Sequence, residues 1–155
     1  LVDRTRALAF PIVAFLLRVG VGLTLIVAGA GKLKDATAAQ AATEATLHVS
    51  GTAAQVLTVA VSVLEILLGI HLIIGLNLRW SALAAVTLLA FFLVFVIYLW
   101  ATGYAGGCGC FGVFGGGSPG PAETARDTLL LLAAIAAWWG RASGPRVDHL
   151  LRAEG

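Results

Sequence analysis

A membrane-spanning bundle of four helices, with a glycine- and cysteine-rich loop between the third and fourth, is the fold this sequence predicts. Three observations predict it. The composition is 59% hydrophobic and 12% charged with a mean hydropathy of +0.96, whereas a soluble domain carries about a quarter charged residues. Long apolar runs recur along 155 residues, each near the ~20 residues that a bilayer-spanning helix needs. The breaks between them hold glycine, proline and cations, the residues that end helices at an interface. The length suits one such domain and leaves no room for a separate soluble one. The net charge of +2, with arginines scattered at element ends, argues against nucleic acid as a partner. Methionine is absent even at position 1, which points to a missing initiator or leader and bears in no way on the fold.

The first span is expected over about residues 9–30, with Pro11 in its first turn, where a proline is tolerated. It is too long for the apolar part of a signal peptide and contains Arg18, so it reads as a retained helix. Helical spacing puts Ala14, Arg18, Gly22, Leu25 and Gly29 on one stripe, which should face the bundle. Gly31, Lys32 and Lys34 then mark its end. The alanine-rich stretch after Asp35 reads as a short surface helix lying over the bundle, and His48 within it as a solvated side chain.

The second span, about residues 54–76, holds Glu65 near its centre. A carboxylate at that depth costs at least ~2.5 kcal/mol unless it is neutral or paired. Thr58, Ser62, Glu65 and Gly69 make one small, polar face that should meet the Arg18 stripe, and a direct or water-bridged Arg18 to Glu65 contact is the expectation. His71 lies off that face and reads as a core histidine bonded to a carbonyl. The third span, about residues 80–101, begins with Trp80 and ends among Tyr98, Trp100 and Tyr104, aromatics that mark two interfaces. The fourth, about residues 124–140, follows Pro121 and Glu123 and ends at Trp138 and Trp139; a polar tail with a short amphipathic turn at Val147 to Leu151 follows.

Between the third and fourth spans lies Gly106-Gly107-Cys108-Gly109-Cys110-Phe111-Gly112, which contains both cysteines of the chain. Two thiols so close can close a small disulfide ring, and the glycines can take the φ > 0 conformations that such a ring needs. Zinc wants four ligands, and no second His or Cys pair stands at ligand spacing, so no metal is expected. Two inert, buried cysteines are the plain alternative, although a glycine loop suits them less well than a helix does. Four spans bring both termini to one side. That side holds Arg4, Arg6, Arg79, Arg141, Arg146 and Arg152, against Lys32, Lys34 and Arg126 on the other. The positive-inside rule then puts both termini in the cytoplasm and the cysteine loop outside the cytoplasmic membrane, where disulfides persist.

Four segments together resemble the DoxX-like superfamily, and in particular its MauE (methylamine utilisation) branch. They are Arg18-Val19-Gly20 through Gly29-Ala30-Gly31-Lys32-Leu33, Leu64-Glu65-Ile66-Leu67-Leu68-Gly69, Cys108-Gly109-Cys110-Phe111-Gly112, and Arg126-Asp127. The resemblance covers nearly the whole chain, although the alanine-rich segment 36–53 departs from the more aromatic loop expected of that branch. It implies a four-helix membrane redox protein acting on the outer face with a thioredoxin-like partner, in the MauE case forming disulfides in the methylamine dehydrogenase small subunit. Cys108 and Cys110 would then be the catalytic pair, supported by Arg18, Lys32, Glu65, Gly109, Phe111, Arg126 and Asp127. Lys32, Lys34 and Arg126 are the cations available to lower a thiol pKa. Four-helix oxidases of the vitamin K epoxide reductase type send electrons to a membrane quinone, and architecture alone extends that cofactor to this chain by analogy. Those oxidases relay electrons through further cysteine pairs, and this chain has one pair. Either direction of electron flow is allowed. The competing class is an assembly factor or accessory subunit with a structural cysteine clip. A transporter would explain the intramembrane charges but predicts repeats or broken helices, and neither is visible.

Overall fold

The computed structural model describes residues 2–111 and 117–139, with side chains from residue 12 onward, and every element among them is a helix. The helices are α1 (Val2–Lys34), α2 (Thr37–Leu47), α3 (Gly51–Ile74), α4 (Leu78–Ala101) and α5 (Pro121–Trp139). Gly112, the polar tail and its expected turn at Val147 to Leu151 lie outside the described residues. Among the described residues, three segments are long and apolar enough to cross a bilayer: Ile12–Lys34 of α1, all of α3 and all of α4. In α3 and α4 only 28% of that apolar window is buried within the protein. Most of it therefore faces outward as a continuous apolar surface, which is what a lipid-embedded helix presents.

α1 begins seven residues earlier than the expected start at Ala9, so Pro11 lies inside the helix and not in its first turn. The proline frees the carbonyl of Ala7, four residues back.

α1 and α3 run antiparallel in the most extensive contact of the bundle. A β-carbon on Gly22 would lie 2.9 Å from the Gly69 carbonyl oxygen, and one on Gly29 would lie 2.5 Å from that of Ser62. The small residues thus let the two backbones touch, the means by which helices associate without a hydrophobic driving force. The face read from periodicity is the one buried: Thr58, Ser62, Glu65 and Gly69 on α3 are buried, as are Ala14, Arg18 and Leu25 on α1, and Gly22 and Gly29 lie against Gly69, Ser62 and Glu65. α5 packs along α4 and α1, and Val21, Leu25, Leu72, Ala85, Leu89 and Ala134 form the apolar core at one end of the bundle.

The α3–α4 connection is tight because Gly75 (φ 79°) and Asn77 (φ 43°) both take left-handed conformations, which Gly and Asn tolerate best. α2 forms in the alanine-rich stretch and lies on α3, with Ala39 and Ala42 buried. Asp35 starts it by accepting hydrogen bonds from the Thr37 hydroxyl (2.6 Å) and the Thr37 N–H (3.0 Å). Those two bonds hold its carboxyl below the usual carboxylate range. His48 ends the helix in a left-handed conformation at φ 52°, exposed.

Candidate functional site

The loop after α4 folds back under α2. The Tyr104 N–H closes the end of α4 on the Leu99 carbonyl, and Cys108 and Cys110 then sink into a second core cluster with Ala42, Val96 and Leu99. Both are free thiols, 2% and 5% exposed. A loop that acts on a soluble partner would be expected to present its thiols openly; this pair is instead covered, because α2 lies directly over it. Gly109 shows how close the cover is. Its φ is +65°, and a β-carbon there would collide with the Ala39 nitrogen and lie 2.5 Å from the Ala39 Cα. Only glycine satisfies both the backbone angle and the contact.

The two thiols act as one unit. The Cys110 thiol donates toward the Cys108 carbonyl at 3.9 Å and to the Cys108 sulfur. That side-chain hydrogen bond is the main reason the Cys108 thiol is lowered to about 6; burial opposes it, while the Cys110 N–H and the Arg126 cation assist. The same hydrogen bond, together with burial and the charge on Cys108, raises the Cys110 thiol well above its ordinary value. The pair therefore holds one proton readily shed and one retained, the arrangement of an attacking thiolate beside a resolving thiol.

Arg126 supplies the nearby cation. Its guanidinium lies 4.2 Å from the centroid of the Phe111 ring, and its Nε donates to Asp127 Oδ1 at 3.0 Å. Phe111, directly after Cys110, thus fixes Arg126 beside the thiols by a cation–π contact. Asp127 is buried, and its Oδ2 has no hydrogen-bond partner. Lys34, the third cation proposed to act on the thiols, is exposed.

The buried carboxylate is held differently from expectation. Glu65 pairs with Lys32, whose Nζ donates to both carboxylate oxygens at 2.6 and 2.8 Å, with both residues buried. Arg18 is buried too, but its guanidinium lies over the ring of Phe15 at 4.9 Å. The antiparallel register explains the exchange of partners. Glu65 lies against Gly29, and side chains lean toward the N-terminus of their own helix. Arg18 therefore leans away from Glu65, while Lys32 and Glu65 lean toward each other. The signal was present in the sequence: Lys32 continues the stripe of Arg18, Gly22, Leu25 and Gly29 by one more step. His71 donates its Nδ1–H to the Leu67 carbonyl at 2.7 Å, one turn back on its own helix.

Glu65, Cys110, Phe111 and Asp127 border one small interior space of about 10 Å³, large enough for a single water. Lys32, Cys108 and Cys110 also line a second, larger cavity of about 290 Å³ between α3 and α4. The structure thus brings Cys108, Cys110, Gly109, Phe111, Arg126, Asp127, Lys32 and Glu65 to one end of the bundle. Arg18 lies more than two turns away along α1. Among the described residues, no three His, Cys, Asp or Glu side chains gather as a metal site would require.

Residues 10–140 match the family described as methylamine utilisation protein MauE. The chain belongs to the MauE family. As a MauE-family chain with three helices able to cross a bilayer, it is a multi-pass membrane protein of the methylamine utilisation type. No curated protein and no solved structure matches this MauE-family chain. Sequence reasoning placed Thr58 on the polar face of α3 but missed the cavity that it lines, since the cavity is made by α2 closing over a gap between two helices, and no local pattern encodes that.

Proposed function

We propose that this MauE-family protein is a membrane-bound thiol–disulfide oxidoreductase whose Cys108/Cys110 pair exchanges with the thiols of an extracytoplasmic protein of thioredoxin-like type. The observation that carries this reading is the juxtaposition of the two buried thiols, with Cys110 donating toward Cys108, beside Arg126. In the exchange, the Cys108 thiolate attacks a sulfur of the partner disulfide and a mixed disulfide forms. Cys110 then attacks Cys108, releasing the partner as a dithiol; the reverse sequence oxidises the partner. Because both thiols are covered by α2, partner access requires the loop to lift. In this reading α5 is a fourth span, both termini lie in the cytoplasm and the cysteine loop faces outward. A disulfide between residues two apart closes too short a loop to stabilise the fold appreciably, which disfavours a permanent clip.

One observation favours the plainer reading, an accessory subunit with inert cysteines: both thiols pack in an apolar cluster. The two readings separate in a redox titration of the purified protein, read by the mass added on alkylation. A cycling pair converts reversibly between dithiol and disulfide, and Cys108→Ser and Cys110→Ser each abolish exchange while leaving the helical fold. A pair that forms no disulfide under diamide, or serine variants that exchange at full rate, would return the protein to the accessory class.

A further inference from the structure

The thiols are shut off by α2 but form part of the wall of the 290 Å³ cavity. Its body is apolar and aromatic, with Phe92 and Phe95 on α4 and Val61 on α3, and the exposed Phe91 stands at its outer side. Its mouth is bordered by Leu57, Val94 and Tyr98, all exposed residues of the two spanning helices. α3 and α4 thus part at this level and leave an opening toward the surrounding lipid. A cavity of this size is at the lower end of small-molecule sites, enough for one substituted ring and the start of a tail.

Of the polar side chains that line it besides the thiols, Thr43 and Thr46 donate to carbonyls of α2 and the exposed Tyr98 stands at the mouth, which leaves two in its interior. One is Lys32, whose Nζ uses two of its donors on Glu65. The other is Thr58, 5% exposed, whose Oγ1 is buried and has no hydrogen-bond partner. The contrast with other helical threonines is informative: Thr24, Thr43, Thr46 and Thr87 each donate to the carbonyl four residues back. A buried hydroxyl left unpaired is costly, and a lipid acyl chain in the cavity would leave it so. A flat ring bearing carbonyl oxygens would accept from it and lie among the phenylalanines.

We propose that this cavity binds a membrane quinone, which reoxidises the Cys108/Cys110 dithiol. The proposal rests on the redox reading of the pair and adds a direction of electron flow and an acceptor. The step balances: two S–H bonds break, one S–S bond forms, and two electrons and two protons convert the quinone to its quinol. Thr58 and Lys32 are positioning residues, donating to the carbonyl oxygens.

The test uses the full chain in detergent or nanodiscs, reduced with dithiothreitol, freed of excess, and mixed anaerobically with a short-tailed benzoquinone or naphthoquinone. Quinone absorbance and the alkylation mass shift are followed together. Loss of quinone matched mole for mole by disulfide supports the site. Thr58→Val, which keeps the shape and removes the hydroxyl, should raise the quinone KM about three- to tenfold while diamide still oxidises the pair at the unchanged rate. Val61→Trp, which fills the cavity, should abolish quinone reduction and spare oxidation by diamide. If diamide oxidises the pair and quinone does not, or if quinone reacts equally with wild type and both variants, the quinone site is overturned and the redox reading stands. If neither oxidant acts, both fall.

Discussion

Lys32 and Glu65 neutralise each other in the interior of the bundle, both buried. Removing one partner strands the other, so Lys32→Met and Glu65→Leu should each lower stability by about 3 to 5 kcal/mol, while the double replacement comes close to neutral. Thermal unfolding in detergent, run as a double-mutant cycle, measures this; additive losses would mean the pair contributes nothing as a pair. At the thiols the sign of the pH dependence follows from Cys108, lowered to about 6 by the Cys110 hydrogen bond. Below that value it is protonated and slow; alkylation of Cys108 should accelerate as pH rises through about 6 and then level off. Arg126→Gln removes a cation that favours the thiolate, so its midpoint should move upward. A midpoint unchanged by that substitution would detach Arg126 from the chemistry.

The α1–α3 interface depends on backbones in contact, and Gly69 is, with Gly29, one of its two tightest points, since a β-carbon there would lie 2.5 Å from the Gly22 carbonyl oxygen and 2.7 Å from Ile26. Gly69→Ala should destabilise the bundle by about 1 to 3 kcal/mol as backbone must move, despite alanine's better helix propensity. A melting temperature equal to wild type would show that the helices part freely. Much at this scale was legible in the sequence. The small, polar face of Thr58, Ser62, Glu65 and Gly69 is the buried face of α3, and the glycine stripe of α1 is what it meets. Periodicity yields a face; it does not yield the vertical register between two helices, which decides that Glu65 takes Lys32 and not Arg18. Pro11 lies inside α1 and not in its first turn, which the local pattern does not reveal.

For the molecule as a whole, the apolar faces of α3 and α4 suit it to a bilayer, and the distribution of arginine and lysine is the ground for the proposed orientation. Because the native thiols are covered, a reporter belongs elsewhere on the loop. Ser118 is exposed, and Ser118→Cys in a Cys108→Ser, Cys110→Ser background should react with an impermeant maleimide on intact cells. Labelling only after the membrane is opened would reverse the topology. The glycine-rich cysteine segment stood out in the sequence, but its burial did not, since burial depends on α2, a helix whose alanine-rich pattern names no docking partner. The contact that buries it has a mechanical consequence. Gly109 rests on the backbone of Ala39 with no room between them, and Ala39 and Thr43 of α2 roof the cavity. The sulfur pair and that roof are therefore one lever: the loop cannot change shape on closing an S–S bond without shifting α2. Hydrogen exchange of the α2 amides should accordingly differ between oxidised and reduced protein while the α1–α3 amides stay equally protected, so that the redox state is written in the motion of a helix that carries no sulfur.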